Sequence, residues 1–157
     1  MKRNIARRTL LAVFAATLVV SAVATARAEG LACSIALAAG KYSFIDSGTV
    51  VGVGPRSFAG ILTLDAAGNV TNGKGTSSLN GSVAVETFSG TYTVNPDCTG
   101  TFSVDIFVSD TKILSVTTNN VFDDNMRQLR AIFTSAVVEP SGTPLSTVIA
   151  LDARKLK

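Results

Sequence analysis

The sequence predicts an all-β fold, a single closed antiparallel up-and-down β-barrel of about eight strands. After residue 28, Thr, Ser, Val and Gly are abundant while Glu and Lys are scarce, which favours strands over helices. No segment there keeps a 3.6-residue apolar period, and turn residues recur at short intervals. Short loops place successive strands antiparallel, and closing the meander removes both exposed edges. A two-sheet β-sandwich is the alternative.

Residues 1–28 have the features of a cleavable signal peptide, which leaves residues 29–157 as the barrel domain. A basic N-terminal region is followed by an uncharged, mostly apolar segment. The segment ends at Ala-Arg-Ala, residues 26–28, which fits the small-x-small pattern of a signal-peptidase cleavage site. An uncleaved anchor is the alternative, but the run is short for a span of ~20 residues. We expect a periplasmic or extracellular domain with no stable membrane anchor after cleavage. Arg7-Arg8 also fits a loose twin-arginine pattern, so the export route stays open.

Removing the leader changes the charge balance of the protein. Five of the 14 Lys and Arg residues lie in the leader and none of the 11 Asp and Glu residues do, so a chain of +3 becomes a domain of −2. A nucleic-acid binder needs a basic stripe on its folded domain. We therefore expect no nucleic-acid partner.

In the first half of the domain, glycines separate or interrupt the predicted strands. Gly40 precedes the first strand, and the Gly-rich residues 48–55 connect it to the second, whose positions 58, 60, 62 and 64 share one face. Gly73 and Gly75 lie inside the polar third strand and predict an edge, a bulge or a sharp bend.

The second half alternates more regularly. In residues 101–109, Phe102, Val104 and Ile106 face one way and Asp105 the other. Residues 123–125, Asp-Asp-Asn, are interpreted as a hairpin tip, because they lack the Gly and distal Glu of a calcium loop. The predicted strands are residues 41–46, 58–64, 70–79, 82–94, 101–109, 112–122, 127–138 and 146–154.

Cys33 and Cys98 are the two cysteines of the chain. An even count in an exported chain predicts one disulfide, here between the start and the middle of the domain. Acylation of Cys33 is the alternative, but Gly30 stands where such sites need a bulky apolar residue. Two thiols without histidine do not complete an ordinary zinc shell, so we predict no metal site.

The chain contains no histidine, which excludes several chemistries. Ser-His-Asp and Cys-His nucleophilic machinery, and histidine-based zinc or iron sites, are impossible without it. No Gly-rich loop leads into Lys-Ser/Thr, so a phosphate cradle of that type is absent and we predict no cofactor.

Four residues are the candidates for acid–base chemistry: Glu86, Tyr92, Asp105 and Arg130. Strict alternation puts Glu86 on the face of Phe88 and Tyr92, where burial would raise its pKa and make it a general acid. We favour a solvent-facing Glu86 after a bulge, because neighbouring valines occupy the opposite parity.

Arg127 and Arg130 fall on opposite faces of a regular strand. One of them is therefore expected to point inward, where it would anchor an anionic ligand or pair with Glu86 or Asp105. The sequence does not select between these roles.

Three segments carry a family resemblance: GKYSF at 40–44, LTLDAAGNV at 62–70 and SGTYTVNPDCTGT at 89–101. Over residues 33–133 the chain resembles a group of small, secreted, functionally uncharacterised bacterial proteins with a GTYTVNxDCTGT signature, although Lys41 stands where Thr is commoner. The resemblance implies a closed antiparallel β-barrel, distantly similar to calycin-like barrels and those of allene oxide cyclases and dirigent proteins. It also supports the disulfide and transfers no catalytic residue.

An eight-stranded barrel has just enough interior to fill with its own side chains or to admit one small ligand. We predict an exported, lipocalin-like barrel whose lumen, lined by Phe44, Phe102, Val104 and Ile106, binds a small apolar molecule. The alternatives are a structural or surface protein with a filled core, and a cofactor-free isomerase or cyclase by analogy of shape. Of these hypotheses we favour the non-enzymatic ones.

Overall fold

The computed structural model describes residues 32–123 and 125–157. The predicted signal peptide with its cleavage site, and Asp124 of the predicted hairpin tip, lie outside the described residues. Among the described residues, no helix is long and apolar enough to cross a membrane. The elements in chain order are α1 (Ile35–Ala38), β1 (Gly40–Val50), β2 (Gly54–Leu64), β3 (Asn69–Leu79), β4 (Ser82–Val94), β5 (Thr99–Val108), β6 (Thr111–Phe122), β7 (Gln128–Val138), β8 (Thr143–Pro144) and β9 (Thr147–Lys155).

Eight of the strands in the described residues close into one antiparallel barrel. Each strand from β1 to β6 pairs with the next in sequence, and β9 pairs with both β7 and β1. The short strand β8 pairs with the end of β7 and lies outside the barrel. The predicted closed meander is confirmed, and the two-sheet sandwich is not formed.

Alternate residues of each strand face the lumen, as the pleat of a strand requires. In β2, Phe58, Leu62 and Leu64 are buried, as the shared face predicted, whereas Ser57 and Ala59 are exposed. Burial of such inward rows, at about 25 cal/mol per Å² of apolar surface, is the main force that closes the sheet.

The Gly-rich stretch after the first predicted strand is largely strand rather than loop, which corrects the prediction. β1 continues to Val50 and pairs with Gly54 of β2, leaving a three-residue turn. A Cβ atom at Gly48 would lie 1.9 Å from the carbonyl oxygen of Val148 in β9. Gly48 therefore serves the close approach of β1 and β9.

Of the two predicted glycines in β3, Gly73 lies at a bulge and Gly75 is in regular pairing with β2 and β4. β3 is paired on both sides, and its register against β4 shifts between Val70 and Gly73, with Asn72 at a φ of 52°. A Cβ atom at Gly73 would lie 2.4 Å from the ring of Phe88. Of the three interpretations of these glycines, the bulge is right and the edge strand is wrong.

The end of the barrel next to α1 is closed, and we call it the closed end. The predicted disulfide between Cys33 and Cys98 is present and ties the segment before α1 to the turn between β4 and β5. The Tyr42 hydroxyl lies 2.8 Å from the Ala38 carbonyl oxygen, and the Tyr92 hydroxyl lies 3.1 Å from that of Ile35. The helix thus packs onto the barrel through covalent and hydrogen bonds.

Helix α1 was not predicted from the sequence. Its four residues are too few to show a helical period, and its N-cap Ser34 accepts a hydrogen bond from the Leu37 amide. The boundaries of the eight predicted strands agree with the structure to within four residues, and β4 has the predicted bounds at both ends.

Candidate ligand-binding site

Two adjoining cavities lie in the lumen formed by the described residues. The inner chamber has a volume of about 50 Å³, and the outer chamber, which opens at the end opposite α1, has about 330 Å³. We call that open end the mouth. A cavity of only ~10–15 Å³ can hold a water molecule, whereas the pockets that bind small organic molecules have volumes of roughly 300 Å³ or more. The outer chamber is therefore large enough for a small organic molecule, and the inner chamber for a small chemical group.

Two charged side chains line both chambers. Arg56 of β2 donates to Glu86 of β4 in a bidentate pair, with Nη1 3.1 Å from Oε1 and Nη2 3.0 Å from Oε2. β3 runs between their strands and turns the small side chain of Ser77 toward the lumen, so the two long side chains meet across it. This planar pairing is the strong form of an arginine–carboxylate contact.

Asp46 of β1 lies beside this pair and lines the inner chamber. Its Oδ1 is 3.6 Å from Arg56 Nε and has no hydrogen-bond partner among the described residues, although only 3% of the residue is exposed. We call Asp46, Arg56 and Glu86 the lumen charge cluster. It buries two carboxyl groups against one guanidinium.

The surroundings shift the pKa values of two members of the lumen charge cluster. Burial raises the pKa of Asp46 to about 6; the Arg56 charge opposes this shift and the Glu86 charge adds to it. Burial lowers the pKa of Arg56, but the hydrogen bond to Glu86 and the charges of both acids outweigh it, so the net shift is upward. Arg56 therefore stays cationic, and Asp46 gains or loses its proton near pH 6.

The rest of the inner chamber is apolar. All four predicted ligand-binding residues, Phe44, Phe102, Val104 and Ile106, line it, and Ile106 also lines the outer chamber. The Phe44 ring stacks on Phe58 at 5.2 Å between centroids. The structure thus places the predicted residues around one cavity, and their role in binding stays a prediction.

The wall of the outer chamber is incomplete on one side. β4 pairs with β5 only from Thr87 onward, so the segment Ser82 to Glu86 is paired with β3 alone. Val83 and Ala84 of this segment border the outer chamber, and Val83 and Val85 are 71% and 70% exposed. The mouth therefore opens partly through the side of the barrel.

Glu86 was favoured as a solvent-facing residue, and this was wrong. It is 4% exposed and faces the lumen without a bulge at its position, whereas Val83 and Val85, at the opposite parity, are largely exposed. The prediction failed because the usual alternation is reversed next to the mouth. There the outward-facing side chains of β4 are apolar and the inward-facing Glu86 is charged.

Neither predicted arginine enters the lumen, which is a second correction. Arg127 is exposed, and Arg130 lies on the outer surface with its Nε 3.6 Å from Asp152. Among the described residues, the arginine that faces the lumen is Arg56, which sequence reasoning missed. Arg56 is at an even spacing from Phe58 and Leu62 in β2 and therefore faces the same side of the strand. This spacing is the sequence signal that identifies it.

The four acid–base candidates do not come together. Glu86 lies in the lumen, and Tyr92 lies at the closed end, where burial raises its pKa to about 12. Asp105 lies on the outer surface and pairs with Lys112 at 3.0 Å. Arg130 is on the outer surface as well, so these residues form no common site.

Comparisons with known proteins support the barrel fold and identify no family. No family model and no curated protein matches the sequence. The structure of EF1p2_mFAP2b bound to DFHBI is similar, with a TM-score of 0.52, 9% identity, and 80% of this chain and 99% of that chain covered. Rv2717c from M. tuberculosis matches with a TM-score of 0.35, 15% identity, and 78% and 95% covered. At 9% identity the first likeness shows a shared barrel fold, and membership of the signature family stays a prediction.

Proposed function

We propose that this protein is an exported β-barrel that binds one small apolar molecule in its lumen. The outer chamber carries the proposal, because its volume of about 330 Å³ is mostly lined by apolar side chains and opens at the mouth. This cavity supports the ligand-binding interpretation over a filled structural core. The barrel fold is shared with EF1p2_mFAP2b, which was solved bound to DFHBI.

Export is part of the same proposal. The signal-peptide pattern of residues 1–28 and the disulfide between Cys33 and Cys98 are both typical of proteins that leave the cytoplasm. The dispersed acid–base candidates give no support to an isomerase or cyclase.

The test uses N-phenyl-1-naphthylamine, a neutral apolar dye that fluoresces in apolar sites. We expect saturable binding to the folded domain with one dye per chain. Ala84→Phe puts a ring into the outer chamber and should weaken the dye at least about tenfold, a loss of ~1.4 kcal/mol. The matched control Ala150→Phe adds the same ring on an exposed outward position of β9 and should leave affinity unchanged. Absence of saturable binding, or equal losses in both variants, would refute the proposal.

A further inference from the structure

We propose that the ligand carries a cationic amine, and that its ammonium group occupies the inner chamber beside Asp46 while its apolar body fills the outer chamber. This inference rests on the proposed function and names the chemical class of the ligand. It follows from the charge, the hydrogen bonding and the shape of the lumen.

The charge of the lumen is incomplete. With both acids ionised, the lumen charge cluster has two negative charges and the single positive charge of Arg56. Arg56 donates both of its Nη hydrogen bonds to Glu86 and approaches Asp46 only through Nε at 3.6 Å, so the two carboxylates share one cation. Buried charges are normally paired, because an unpaired one is costly in a medium of low polarity. One added cation makes the lumen neutral.

The hydrogen bonding points the same way. Asp46 Oδ1 is a buried acceptor with no donor among the described residues, and it belongs to a residue that lines the inner chamber. An ammonium group is a donor without acceptors, so it supplies what this oxygen lacks. The other ionisable groups that line this chamber are Arg56 from β2 and Glu86 from β4, and they are already engaged with each other.

The shape of the lumen selects an amine with an apolar tail. The inner chamber, at about 50 Å³, has room for an ammonium group and its first methylene. Five phenylalanine rings line it, and such rings attract cations over their faces. Both chambers share Arg56, Glu86, Ile106 and Phe133 as lining residues, so they adjoin and a single molecule reaches across both.

The test compares three probes of equal chain length: n-octylammonium, n-octanol and n-octanoate. Each displaces N-phenyl-1-naphthylamine from the folded domain at about pH 7.5 and about pH 5. At the higher pH we expect octylammonium to bind at least about tenfold more tightly than octanol, and octanoate to bind most weakly. At the lower pH Asp46 is largely protonated, so the preference for the amine should fall about tenfold.

Two variants assign the preference to Asp46. Asp46→Asn keeps the shape and removes the charge, so the ratio of octylammonium to octanol affinity should fall to near one. Asp97→Asn changes an exposed aspartate of the turn between β4 and β5 and should leave the ratio as in the unmodified protein. If Asp46→Asn does not fold, the pH dependence of the unmodified protein still decides.

The outcomes separate the two proposals. If octanol displaces the dye but octylammonium binds no better, the amine inference is wrong and the binding function stands. If octanoate binds best, Arg56 receives an anion and the inference is also wrong. If neither the dye nor any probe binds, both proposals are wrong.

Discussion

The closed end of the barrel and the lumen charge cluster both bury polar side chains, and they do so in different ways. At the closed end, the Tyr42 hydroxyl lies within hydrogen-bonding distance of the Ala38 and Met126 carbonyl oxygens. In the lumen charge cluster, Arg56 and Glu86 are bonded to each other, while Asp46 Oδ1 has no hydrogen-bond partner among the described residues.

The difference indicates what each region contributes. A buried neutral hydroxyl with a partner adds about 1 kcal/mol to stability, and an unsatisfied buried acceptor costs about 1–3 kcal/mol, more when it is charged. The closed end therefore stabilises the fold. Asp46 destabilises it when ionised, which is the usual property of a group kept for binding.

The largest expected effect is at the closed end, in the double variant Cys33→Ser/Cys98→Ser. The bond closes a loop with a sequence separation of 65 residues, and losing it should lower the free energy of unfolding by about 4 kcal/mol in the chain-entropy account. Urea denaturation of the oxidised protein and the variant measures the loss.

The unmodified protein under reducing conditions is the control and should match the double variant. In conditions where the variant is folded, its dye affinity should be unchanged, because the outer chamber lies at the other end. A loss below about 1 kcal/mol, or a parallel loss of binding, would contradict the division between the two ends.

The next effect is in the lumen charge cluster, in Arg56→Met. This change leaves two buried carboxyl groups without a cation, and breaking a buried pair in this way costs about 3 kcal/mol of unfolding free energy at neutral pH. The loss should shrink as pH falls through about 6, because a protonated Asp46 needs no counter-ion. Urea denaturation at several pH values checks both statements.

Arg130→Met is the matched control, because its side chain is 75% exposed in a single surface ion pair. It should change stability by less than about 0.5 kcal/mol. Equal small losses in the two variants would mean that Arg56 is not holding the cluster together.

The fold was largely predictable because the evidence for it is local. Turn residues bound nearly every strand, and Phe102, Val104 and Ile106 alternate as a half-buried strand requires. The missing parts depend on contacts distant in sequence. From the local sequence Gly48 is interpreted as a loop residue, because its close contact with β9 is known only from the structure. Helix α1 is too short to predict without its contacts at the closed end.

The site was less predictable, for a physical reason. Charged residues usually face solvent, so Glu86 was interpreted as exposed and Arg56 was overlooked. Both positions have inward parity, but partners thirty residues apart are recognised only once the register places β2 and β4 on either side of β3. An inward-parity acid and an inward-parity arginine, taken together, are the signal for such a pair.

The smallest expected effect is that of Asp46→Asn. It distinguishes the two regions most sharply, because the variant should gain stability rather than lose it. The folded-state pKa of Asp46, about 6, is above its ordinary value, so its favourable contribution is complete below about pH 4 and is lost as pH rises through 6. Asp46→Asn removes that loss. The variant should match the unmodified protein near pH 4 and exceed it by about 2 kcal/mol near pH 7.

Asp97→Asn tests the sign of this effect. Hydrogen bonds from Thr99 lower the pKa of Asp97, so its favourable contribution is present above its ordinary pKa and is lost as pH falls. The two variants should therefore change stability in opposite directions at neutral pH. If Asp46→Asn is instead destabilising at pH 7, Asp46 is a satisfied structural acid like the groups at the closed end, and the contrast between the two regions disappears.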